Sequence, residues 1–296
     1  MSDSIRTVSV LGTGTMGQGI AQVTAAAGMA TRLFDAAPGR AQASLTAIGA
    51  QLEKLVAKGK LSDEGRKRTL SALSVAPDVG AACAGVDLVV EAAPENMDLK
   101  VKLLAEVVAA APPHAVVGSN TSSLSLTELG ARLGVPERTV GLHFFNPPPV
   151  MELLEIVRGL GTSEATLERV LAFAASIGKT AIVVRDVPGF ASSRLGVILG
   201  AEAIRMLESG VASAVDIDRA MELGYRHPMG PLKLTDLVGL DVRLAILDHL
   251  HRELGEQFRA PALLRQMVRA GKLGKKTGEG FYLWQDGVPQ ARPKSG

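Results

Sequence analysis

Hydrophobic and polar positions follow two different patterns along the chain. Between Thr7 and Val184, short runs rich in valine and isoleucine are separated by longer stretches in which alanine and leucine recur at helical spacing. This alternation is typical of parallel strands joined by crossover helices. The predicted strands are residues 7–11, 31–35, 73–76, 87–91, 116–119, 139–143, 153–157 and 180–184. The predicted helices between them are residues 17–27, 39–57, 99–110, 124–133 and 164–177.

The alternation ends at the segment Arg185-Asp-Val-Pro-Gly-Phe190. Beyond it, strand-like runs almost vanish and Gly and Pro separate four predicted helices, residues 195–209, 214–223, 232–254 and 261–270. The polar tail, residues 285–296, is expected to be loosely ordered. We therefore predict an α/β protein. Its N-terminal domain, residues 1–186, has a Rossmann-type, mostly parallel sheet, and its C-terminal domain, residues 187–296, is all-helical.

Composition and charge exclude several classes of protein. Of the 296 residues, 47% are hydrophobic, which is enough for a sizeable core. The 32 basic and 30 acidic residues are spread along the chain, and no basic run of the kind that binds a nucleic-acid backbone is present in the sequence. The single cysteine, Cys83, cannot form an internal disulfide, which favours a reducing compartment. The polar start and the lack of a long apolar run argue against a signal peptide or membrane span. We expect a cytoplasmic protein that binds neither nucleic acid nor membrane.

A glycine-rich turn follows the first predicted strand. Gly12, Gly14 and Gly17 form Gly-x-Gly-x-x-Gly between that strand and a helix, the arrangement that binds the pyrophosphate of a dinucleotide at a helix N-terminus. Thr15 and Met16, inside the motif, are expected to contact the cofactor as well. Asp35 ends the next predicted strand, where a carboxylate binds ribose hydroxyls and repels a 2′-phosphate. The motif therefore predicts NAD rather than NADP, and only Arg40 favours NADP.

Five histidines compete for the role of a base that takes a proton from an alcohol. His114 lies in a polar loop, and His249 and His251 lie on a charged helical stretch, so all three are interpreted as surface residues. His227 lies in a turn. His143 ends a predicted strand at the edge where open α/β sheets bind ligands, and we favour it.

Glu155 distinguishes His143 from a histidine that merely fills the core. Alternation places Glu155 on one face of an otherwise apolar strand, where a carboxylate is costly to bury unless it is paired. Pairing with His143 would satisfy both side chains and fix the tautomer of the imidazole. The sequence thus predicts a histidine–carboxylate pair.

Small polar side chains follow another predicted strand and should reach the same crevice. We interpret Asn120 as a cofactor contact and Ser122 as a substrate contact, and we assign Ser123 to the N-cap of the next helix. The proline-rich turn after Asn146 is expected to hold that residue near the nicotinamide end of the cofactor. No set of metal ligands is predicted.

Five segments together resemble the L-3-hydroxyacyl-CoA dehydrogenase family, which includes bacterial 3-hydroxybutyryl-CoA dehydrogenases. They are Asn120-Thr-Ser-Ser123, Gly141-Leu-His-Phe-Phe-Asn-Pro147, Pro188-Gly-Phe190, His227-Pro-Met-Gly-Pro231 and Lys276-Thr-Gly-Glu-Gly-Phe281. The resemblance runs in the same order over nearly the whole chain. It implies NAD-linked interconversion of an L-3-hydroxyacyl-CoA and its 3-ketoacyl-CoA, in a homodimer formed through the helical domain.

The resemblance also assigns roles to particular residues. It makes His143 the base, Glu155 its orienting partner and Ser122 the side chain that binds the reacting oxygen. The cofactor contacts that it implies are Asp35, Glu95, Lys100, Asn146 and Lys276; Lys100 and Lys276 have the alternative of being solvated surface lysines. It places CoA near Lys54 and Lys58, which share a helical face. Ser193 stands where the family usually has an active-site asparagine.

Two other functions stay open at this point. A dehydrogenase of free hydroxy acids or sugar acids would use the same chemistry at the carbinol carbon and differ only in how it holds the rest of the substrate. A non-catalytic NAD-binding protein would need neither a base nor its partner. The presence of both His143 and Glu155 favours an enzyme.

Overall fold

Eight strands form one sheet in the first part of the chain. The computed structural model describes residues 4–292 and divides into two compact units, one ending at Val187 and one beginning at Pro188, called here the sheet unit and the helical unit. The sheet strands are β1 (Thr7–Leu11), β2 (Ala30–Phe34), β3 (Leu73–Val75), β4 (Leu88–Glu91), β5 (Val116–Ser119), β6 (Thr139–Phe144), β7 (Leu153–Arg158) and β8 (Thr180–Arg185).

The strand order is β3-β2-β1-β4-β5-β6-β7-β8. All neighbouring pairs are parallel except β6 and β7, which run antiparallel. The order reverses between β1 and β4, and the crevice outside the carboxyl ends of strands at such a reversal is where open α/β sheets bind ligands. Strands β4, β5 and β6 are buried along their whole length, as expected of a sheet covered on both faces.

Seven α-helices connect these strands. They are α1 (Thr15–Ala26), α2 (Arg40–Ala57), α3 (Asp63–Ser71), α4 (Val79–Cys83), α5 (Met97–Ala110), α6 (Leu126–Leu133) and α7 (Glu164–Ser176). Short polar side chains start several of them: Ser62 caps α3, Asn96 caps α5 and Ser125 caps α6, each accepting a hydrogen bond from a backbone N–H of the first turn. The caps Asn96 and Ser125 fix where α5 and α6 begin after the carboxyl ends of β4 and β5.

The helical unit contains α8 (Ser192–Glu208), α9 (Ala214–Arg219), α10 (Pro231–Val238), α11 (Leu240–Leu254) and α12 (Ala262–Arg269). Its apolar core includes Val197, Ile204, Leu232, Leu247 and Leu264. A short hairpin of β9 (Leu283–Gln285) and β10 (Val288–Gln290) follows the last helix. This hairpin corrects the expectation of a loosely ordered tail; residues 293–296 of that tail lie outside the described residues.

Buried carboxylates attach the segment after α12 to the helices. Asp236 accepts hydrogen bonds from the backbone N–H groups of Phe281 (2.8 Å) and Tyr282 (2.9 Å) and from the indole N–H of Trp284 (2.9 Å). Asp218 accepts one from the hydroxyl of Tyr282 at 2.7 Å. Gly280 approaches Asp236 so closely that a Cβ there would lie 2.1 Å from Oδ1. The carboxylates thus satisfy backbone donors that burial would otherwise leave without partners.

The predicted fold class is confirmed, whereas some boundaries were wrong. The helix predicted over residues 232–254 is divided at Gly239, whose φ of +107° suits glycine but strains other residues. Helices α3 and α4 were not predicted. The units divide between Val187 and Pro188, one residue beyond the predicted boundary, and the separate roles of the two parts stay a prediction. In residues 4–292 no helix is long and apolar enough to cross a membrane.

Candidate active site

The glycine-rich turn has the geometry that a dinucleotide requires. Gly12 has φ +86° and lies against the backbone of Ala92, and a Cβ on Gly17 would lie 1.8 Å from the carbonyl oxygen of Gly12. By contrast, a Cβ on Gly14 would meet nothing closer than a guanidinium nitrogen of Arg40 at 3.7 Å. Gly12 and Gly17 therefore close the turn, while Gly14 leaves backbone open to a ligand at the start of α1. These residues fit a bound pyrophosphate.

Asp35 lies beside this turn, just after β2. Its Oδ2 accepts hydrogen bonds from the backbone N–H (2.7 Å) and the hydroxyl (2.9 Å) of Thr13, and Arg40 lies 3.7 Å away. Partial burial raises the pKa of Asp35, but the hydrogen bonds from Thr13 and Ala37 and the charge of Arg40 outweigh burial, so the pKa lies below its ordinary value. The carboxylate is ionised at neutral pH, as an acceptor for ribose hydroxyls must be.

A cavity of about 730 Å³ adjoins the glycine-rich turn within the sheet unit. Gly14 and Thr15 line it, together with Lys54 of α2 and Asn146 of the proline-rich turn. Lys58 is exposed at the end of α2 and does not line this cavity. The structure therefore brings two of the expected ligand contacts, Lys54 and Asn146, to the cofactor motif, and it leaves Lys58 apart from it.

His143 and Glu155 form a buried pair across the antiparallel strands β6 and β7. The two residues are directly opposite in register, and Nδ1 of His143 lies 2.7 Å from Oε2 of Glu155. His143 is 7% exposed and Glu155 is fully buried. A carboxylate at this distance favours the tautomer with the proton on Nδ1, which leaves Nε2 as the acceptor nitrogen of the ring. The ring of Phe145 packs against the imidazole with centroids 4.7 Å apart.

Ser122 lies in a loop that is organised by Glu95. One carboxylate oxygen of Glu95 accepts hydrogen bonds from the hydroxyl of Thr121 (2.6 Å) and from the backbone N–H groups of Ser122 (3.0 Å) and Ser123 (3.2 Å). Ser123 also donates its hydroxyl to Glu95 at 3.0 Å. The predicted N-cap role of Ser123 was wrong, because α6 begins later and Ser125 caps it.

Asn120 connects this loop to the strand of His143. Its side-chain oxygen accepts a hydrogen bond of 2.9 Å from the backbone N–H of Phe144, which follows His143 in β6. Its own backbone N–H donates to the carbonyl oxygen of Glu91 at 2.7 Å. Asn120 therefore links the carboxyl ends of β4 and β6. Its predicted contact with the cofactor stays a prediction.

Lys100 is not a surface residue. Its side chain is 1% exposed, and its ammonium lies 2.7 Å from Glu91 and 3.5 Å from Glu95. Burial thus rules out the alternative that Lys100 is a solvated surface lysine, and its contact with the cofactor stays a prediction. His249, interpreted as a surface residue, is half-buried, and its Nε2 has no hydrogen-bond partner among residues 4–292.

Two of the predicted site residues belong to the helical unit. The ammonium of Lys276 lies 2.6 Å from both carboxylate oxygens of Asp241, and both side chains are partly exposed. Ser193 is half-buried in the first turn of α8, three residues after Phe190 (φ +50°), which itself follows Gly189 (φ +76°). The positive φ values make this entry to α8 a constrained turn.

The two units match two domains of one protein family. Residues 7–187 match the domain described as 3-hydroxyacyl-CoA dehydrogenase, NAD binding domain, and residues 189–284 match its C-terminal domain. The chain belongs to the 3-hydroxyacyl-CoA dehydrogenase family. The predicted family resemblance is thereby confirmed, and with it the prediction of an oxidoreductase that uses NAD.

Individual relatives support this assignment over the full length. The chain is 44% identical over 283 residues to a probable 3-hydroxybutyryl-CoA dehydrogenase of Bacillus subtilis, covering 95% of this chain and 98% of the relative. It is 41% identical over 290 residues to the 3-hydroxybutyryl-CoA dehydrogenase of Bradyrhizobium diazoefficiens, covering 98% and 99%. The crystal structure of (S)-3-hydroxybutyryl-CoA dehydrogenase from Ralstonia eutropha has a TM-score of 0.91 at 40% identity, covering 96% of this chain and 100% of that chain.

Sequence reasoning missed Glu91 in this family member. Glu91 is fully buried at the end of the apolar strand β4 and binds Lys100 and Ser119. A signal was available, because a carboxylate that ends a run of buried valines needs a partner, and this argument had singled out Glu155. Thr13 was missed too: its hydroxyl reaches Asp35, but threonine inside a glycine-rich motif carries no distinctive signal.

Proposed function

We propose that this protein interconverts an L-3-hydroxyacyl-CoA and the corresponding 3-ketoacyl-CoA with NAD, and that its acyl group is the four-carbon 3-hydroxybutyryl group. The observation that carries the proposal is the buried pair of His143 and Glu155, 2.7 Å apart, at the ligand-binding edge of a sheet that also holds a dinucleotide motif. Relatives named 3-hydroxybutyryl-CoA dehydrogenase, 41–44% identical over nearly the whole chain, support the choice of substrate.

His143 moves the proton in this reaction. In the oxidation, Nε2 of His143 accepts the proton of the 3-hydroxyl group, and the resulting imidazolium is stabilised by the carboxylate of Glu155. In the reduction, the imidazolium returns that proton to the carbonyl oxygen. NAD, when bound, would supply the hydride acceptor, and Gly12, Gly14 and Asp35 would hold it. The role of Glu155 is to hold the ring and its tautomer, because burial leaves it no exchange with solvent.

Ser122 completes the proposed site on the substrate side. Its hydroxyl is 3.4 Å from Glu95, longer than the hydrogen bond that Glu95 receives from the Ser122 amide. A weakly held hydroxyl is able to turn and donate to the reacting oxygen, whose negative charge grows as the 3-hydroxyl loses its proton. His143 and Ser122 would then bind the same oxygen from two sides.

The direct test is a steady-state assay with acetoacetyl-CoA, followed by the absorbance of NADH. We expect turnover with NADH and a much lower kcat/KM with NADPH, because the ionised Asp35 repels a 2′-phosphate. Free acetoacetate, which offers the same carbonyl without CoA, is the matched control substrate and should react far more slowly. Absence of turnover with acetoacetyl-CoA would overturn the proposal, and equal kcat/KM for free acetoacetate would favour a free hydroxy acid as substrate.

We propose that Lys54 and Lys58 bind a phosphate of CoA. Lys54 lines the cavity beside the glycine-rich turn, and Gln22, whose buried Oε1 has no hydrogen-bond partner in residues 4–292, lines it too. A lysine and an amide acceptor suit the phosphate and amide groups of a CoA molecule. Lys58 follows one turn later on the same helical face.

Replacing Lys54 and Lys58 together by alanine should raise KM for acetoacetyl-CoA about tenfold, because charge-assisted hydrogen bonds to phosphate are lost. The kcat should change little, since neither lysine belongs to the histidine–carboxylate pair, and the cavity that Lys54 lines includes neither His143 nor Glu155. Lys67→Ala on α3 is the control: that lysine is exposed and paired with Asp63 at 2.8 Å, and its loss should leave both constants unchanged. An unchanged KM in the double variant would show that this lysine pair does not bind CoA.

Ser193→Asn should retain activity, with kcat/KM within about tenfold of the wild-type value, the range of a single hydrogen bond. The substitution restores the residue that the family usually carries. The asparagine amide can donate a hydrogen bond directly, whereas the shorter serine side chain can do so only at close range or through a bridging water. The same steady-state assay measures it. Complete loss of turnover in folded Ser193→Asn would mean that the serine geometry is specifically required.

We also propose that the enzyme works as a homodimer in the cytoplasm. The helical unit carries large apolar side chains that are mostly exposed, among them Leu195 (69%), Leu223 (79%) and Tyr225 (76%), and burying such side chains against a second copy of the chain would remove them from water. The only cysteine, Cys83, is buried, and burial raises its pKa to about 11, so the thiol is inert and suits a reducing compartment. Light scattering coupled to size exclusion should give twice the mass of one chain; a monomer mass would exclude the dimer.

A further inference from the structure

We propose that Glu91 is a positioning residue that orders the Ser122 loop through Lys100 and Glu95. The inference rests on the proposed function, in which Ser122 binds the reacting oxygen. It adds a buried residue of β4 that would set the geometry of Ser122 from a distance. Glu91 itself would touch neither substrate nor cofactor.

Glu91 has the partners of a structural anchor. Its Oε1 accepts hydrogen bonds from the ammonium of Lys100 (2.7 Å) and the backbone N–H of Ala93 (2.5 Å), and its Oε2 accepts one from the hydroxyl of Ser119 (2.6 Å). The residue is fully buried. Three short hydrogen bonds to one buried carboxylate fix its position tightly and compensate for its desolvation.

Lys100 connects this anchor to Glu95. Its ammonium donates to Glu91 and to the carbonyl oxygen of Ala93 (3.2 Å) and lies 3.5 Å from Oε2 of Glu95. The ammonium is therefore held mainly by Glu91, and Glu95 receives the weaker, longer contact. Because Lys100 is shared, the position of Glu95 depends on how firmly Glu91 holds the lysine.

Glu95 in turn holds the Ser122 loop in place. Its other oxygen, Oε1, receives the donors of Thr121, Ser122 and Ser123 described above. Burial raises the pKa of Glu95, but the charge of Lys100 and the hydrogen bonds from Thr121, Ser122 and Ser123 outweigh it, and the pKa lies below its ordinary value. Glu95 thus stays an ionised acceptor for the loop.

A second path joins Glu91 to the same loop and closes a ring. The hydroxyl of Ser119, which donates to Glu91, accepts the backbone N–H of Thr121 at 3.4 Å. Thr121, directly before Ser122, is therefore held at two points. Its backbone N–H donates to the hydroxyl of Ser119, and its own hydroxyl donates to Glu95. Among the hydroxyls of this loop, that of Ser122 has the longest contact with Glu95, which leaves it the freedom to bind a substrate.

Removing only the charge of Glu91 should disturb this arrangement without opening a cavity. Glutamine has nearly the same shape and still accepts hydrogen bonds, but Lys100 then has Glu95 as its nearest negative partner. The ammonium is expected to draw the carboxylate of Glu95 away from the amides of Ser122 and Ser123. The expected consequence is a misplaced Ser122 hydroxyl in a folded protein.

A double-mutant cycle tests whether Glu91 acts through Ser122. Glu91→Gln is measured in the wild-type background and in Ser122→Ala, with kcat and KM for acetoacetyl-CoA and NADH. We expect Glu91→Gln to lower kcat about tenfold in the wild-type background and less than about twofold in Ser122→Ala, where the group that it positions is already missing. A merely structural role would give the same loss in both backgrounds.

The outcomes separate this inference from the proposed function. Equal losses in both backgrounds, or no loss in either, would overturn the role of Glu91 while the dehydrogenase activity stands. If wild-type protein does not turn over, or if Ser122→Ala is as active as the wild type, the inference falls together with the role assigned to Ser122. Should Glu91→Gln not fold, Glu91→Asp, which keeps the charge but moves it away from the ammonium of Lys100, replaces it in the same cycle with the same expected non-additivity.

Discussion

Replacing His143 by glutamine is expected to lower kcat with acetoacetyl-CoA and NADH by about 10²- to 10⁴-fold, the range that general acid–base catalysis supplies. Glutamine fills much of the same space and still hydrogen-bonds Glu155, but it cannot carry a proton between solvent and substrate. The KM values should stay within about threefold, because the loss falls on the proton transfer rather than on ground-state binding. Steady-state kinetics with NADH measures both constants.

Two further variants make this result specific. Glu155→Gln should cause a smaller loss of kcat, since the imidazole stays but its tautomer and orientation are no longer fixed. His114→Gln is the matched control: its side chain is 54% exposed and lies 3.6 Å from Asp87, and full activity is expected. If His143→Gln turned over as fast as His114→Gln, the assignment of the base would be wrong.

Gly17→Ala is expected to abolish NADH binding and to lower the Tm by about 5 °C or more, the effect of overpacking in a buried turn. Its Cβ would lie 1.8 Å from the carbonyl oxygen of Gly12, and a backbone atom cannot yield as the end of a side chain can. The turn must therefore open, and the backbone N–H groups at the start of α1 lose the arrangement that binds pyrophosphate. Fluorescence titration with NADH and a thermal melt measure the two effects.

Gly14→Ala is expected to weaken cofactor binding without lowering the stability of the fold. Gly14 has φ −65° and ψ −169°, which alanine adopts without strain, and its Cβ meets no protein atom closer than 3.7 Å. This variant should melt like the wild type and bind NADH at least about tenfold more weakly, because the methyl group keeps the pyrophosphate from the backbone. Gly49→Ala, in the middle of α2, is the control and should match or exceed the wild-type Tm. Unimpaired NADH binding by Gly14→Ala would place the pyrophosphate elsewhere.

The fold was readable from the sequence because most strands of the sheet are short and apolar and, except between β6 and β7, a helix follows each strand before the next one begins. Burial on both faces makes parallel strands nearly continuous runs of valine, isoleucine and leucine, as in Leu88-Val-Val. Helix α3 escaped prediction because its residues are almost all polar, so periodicity gives no signal. The local signal was its cap: Ser62 precedes Asp63 and Glu64, and its side chain accepts the N–H of Gly65.

The pairing of His143 with Glu155 was predictable for a different reason. A strand exposes alternate side chains on one face, so an acidic residue on an apolar strand already indicates a partner on a neighbouring strand. Sequence alone did not reveal that β6 and β7 run antiparallel, which puts the two residues directly opposite each other.

The hydrophobic pattern of the sequence could not predict the environment of Lys100. Its burial depends on Glu91 and Glu95, which lie at the end of β4 and in the loop that follows, and a helix periodicity places a lysine on a face without saying what covers that face. The break at Gly239 was hidden similarly, because glycine inside a helical pattern is tolerated and only the surrounding packing decides whether the helix continues.

The position of Trp284 makes the two halves of the molecule separable by spectroscopy. It is the only tryptophan in the chain, and it lies in the helical unit with its indole N–H bonded to Asp236 and the ammonium of Lys275 over its ring at 5.5 Å. Its emission spectrum therefore reports the loosening of the helical unit alone, while circular dichroism reports both. A denaturant titration in which the two signals fail to coincide would reveal that the units unfold separately.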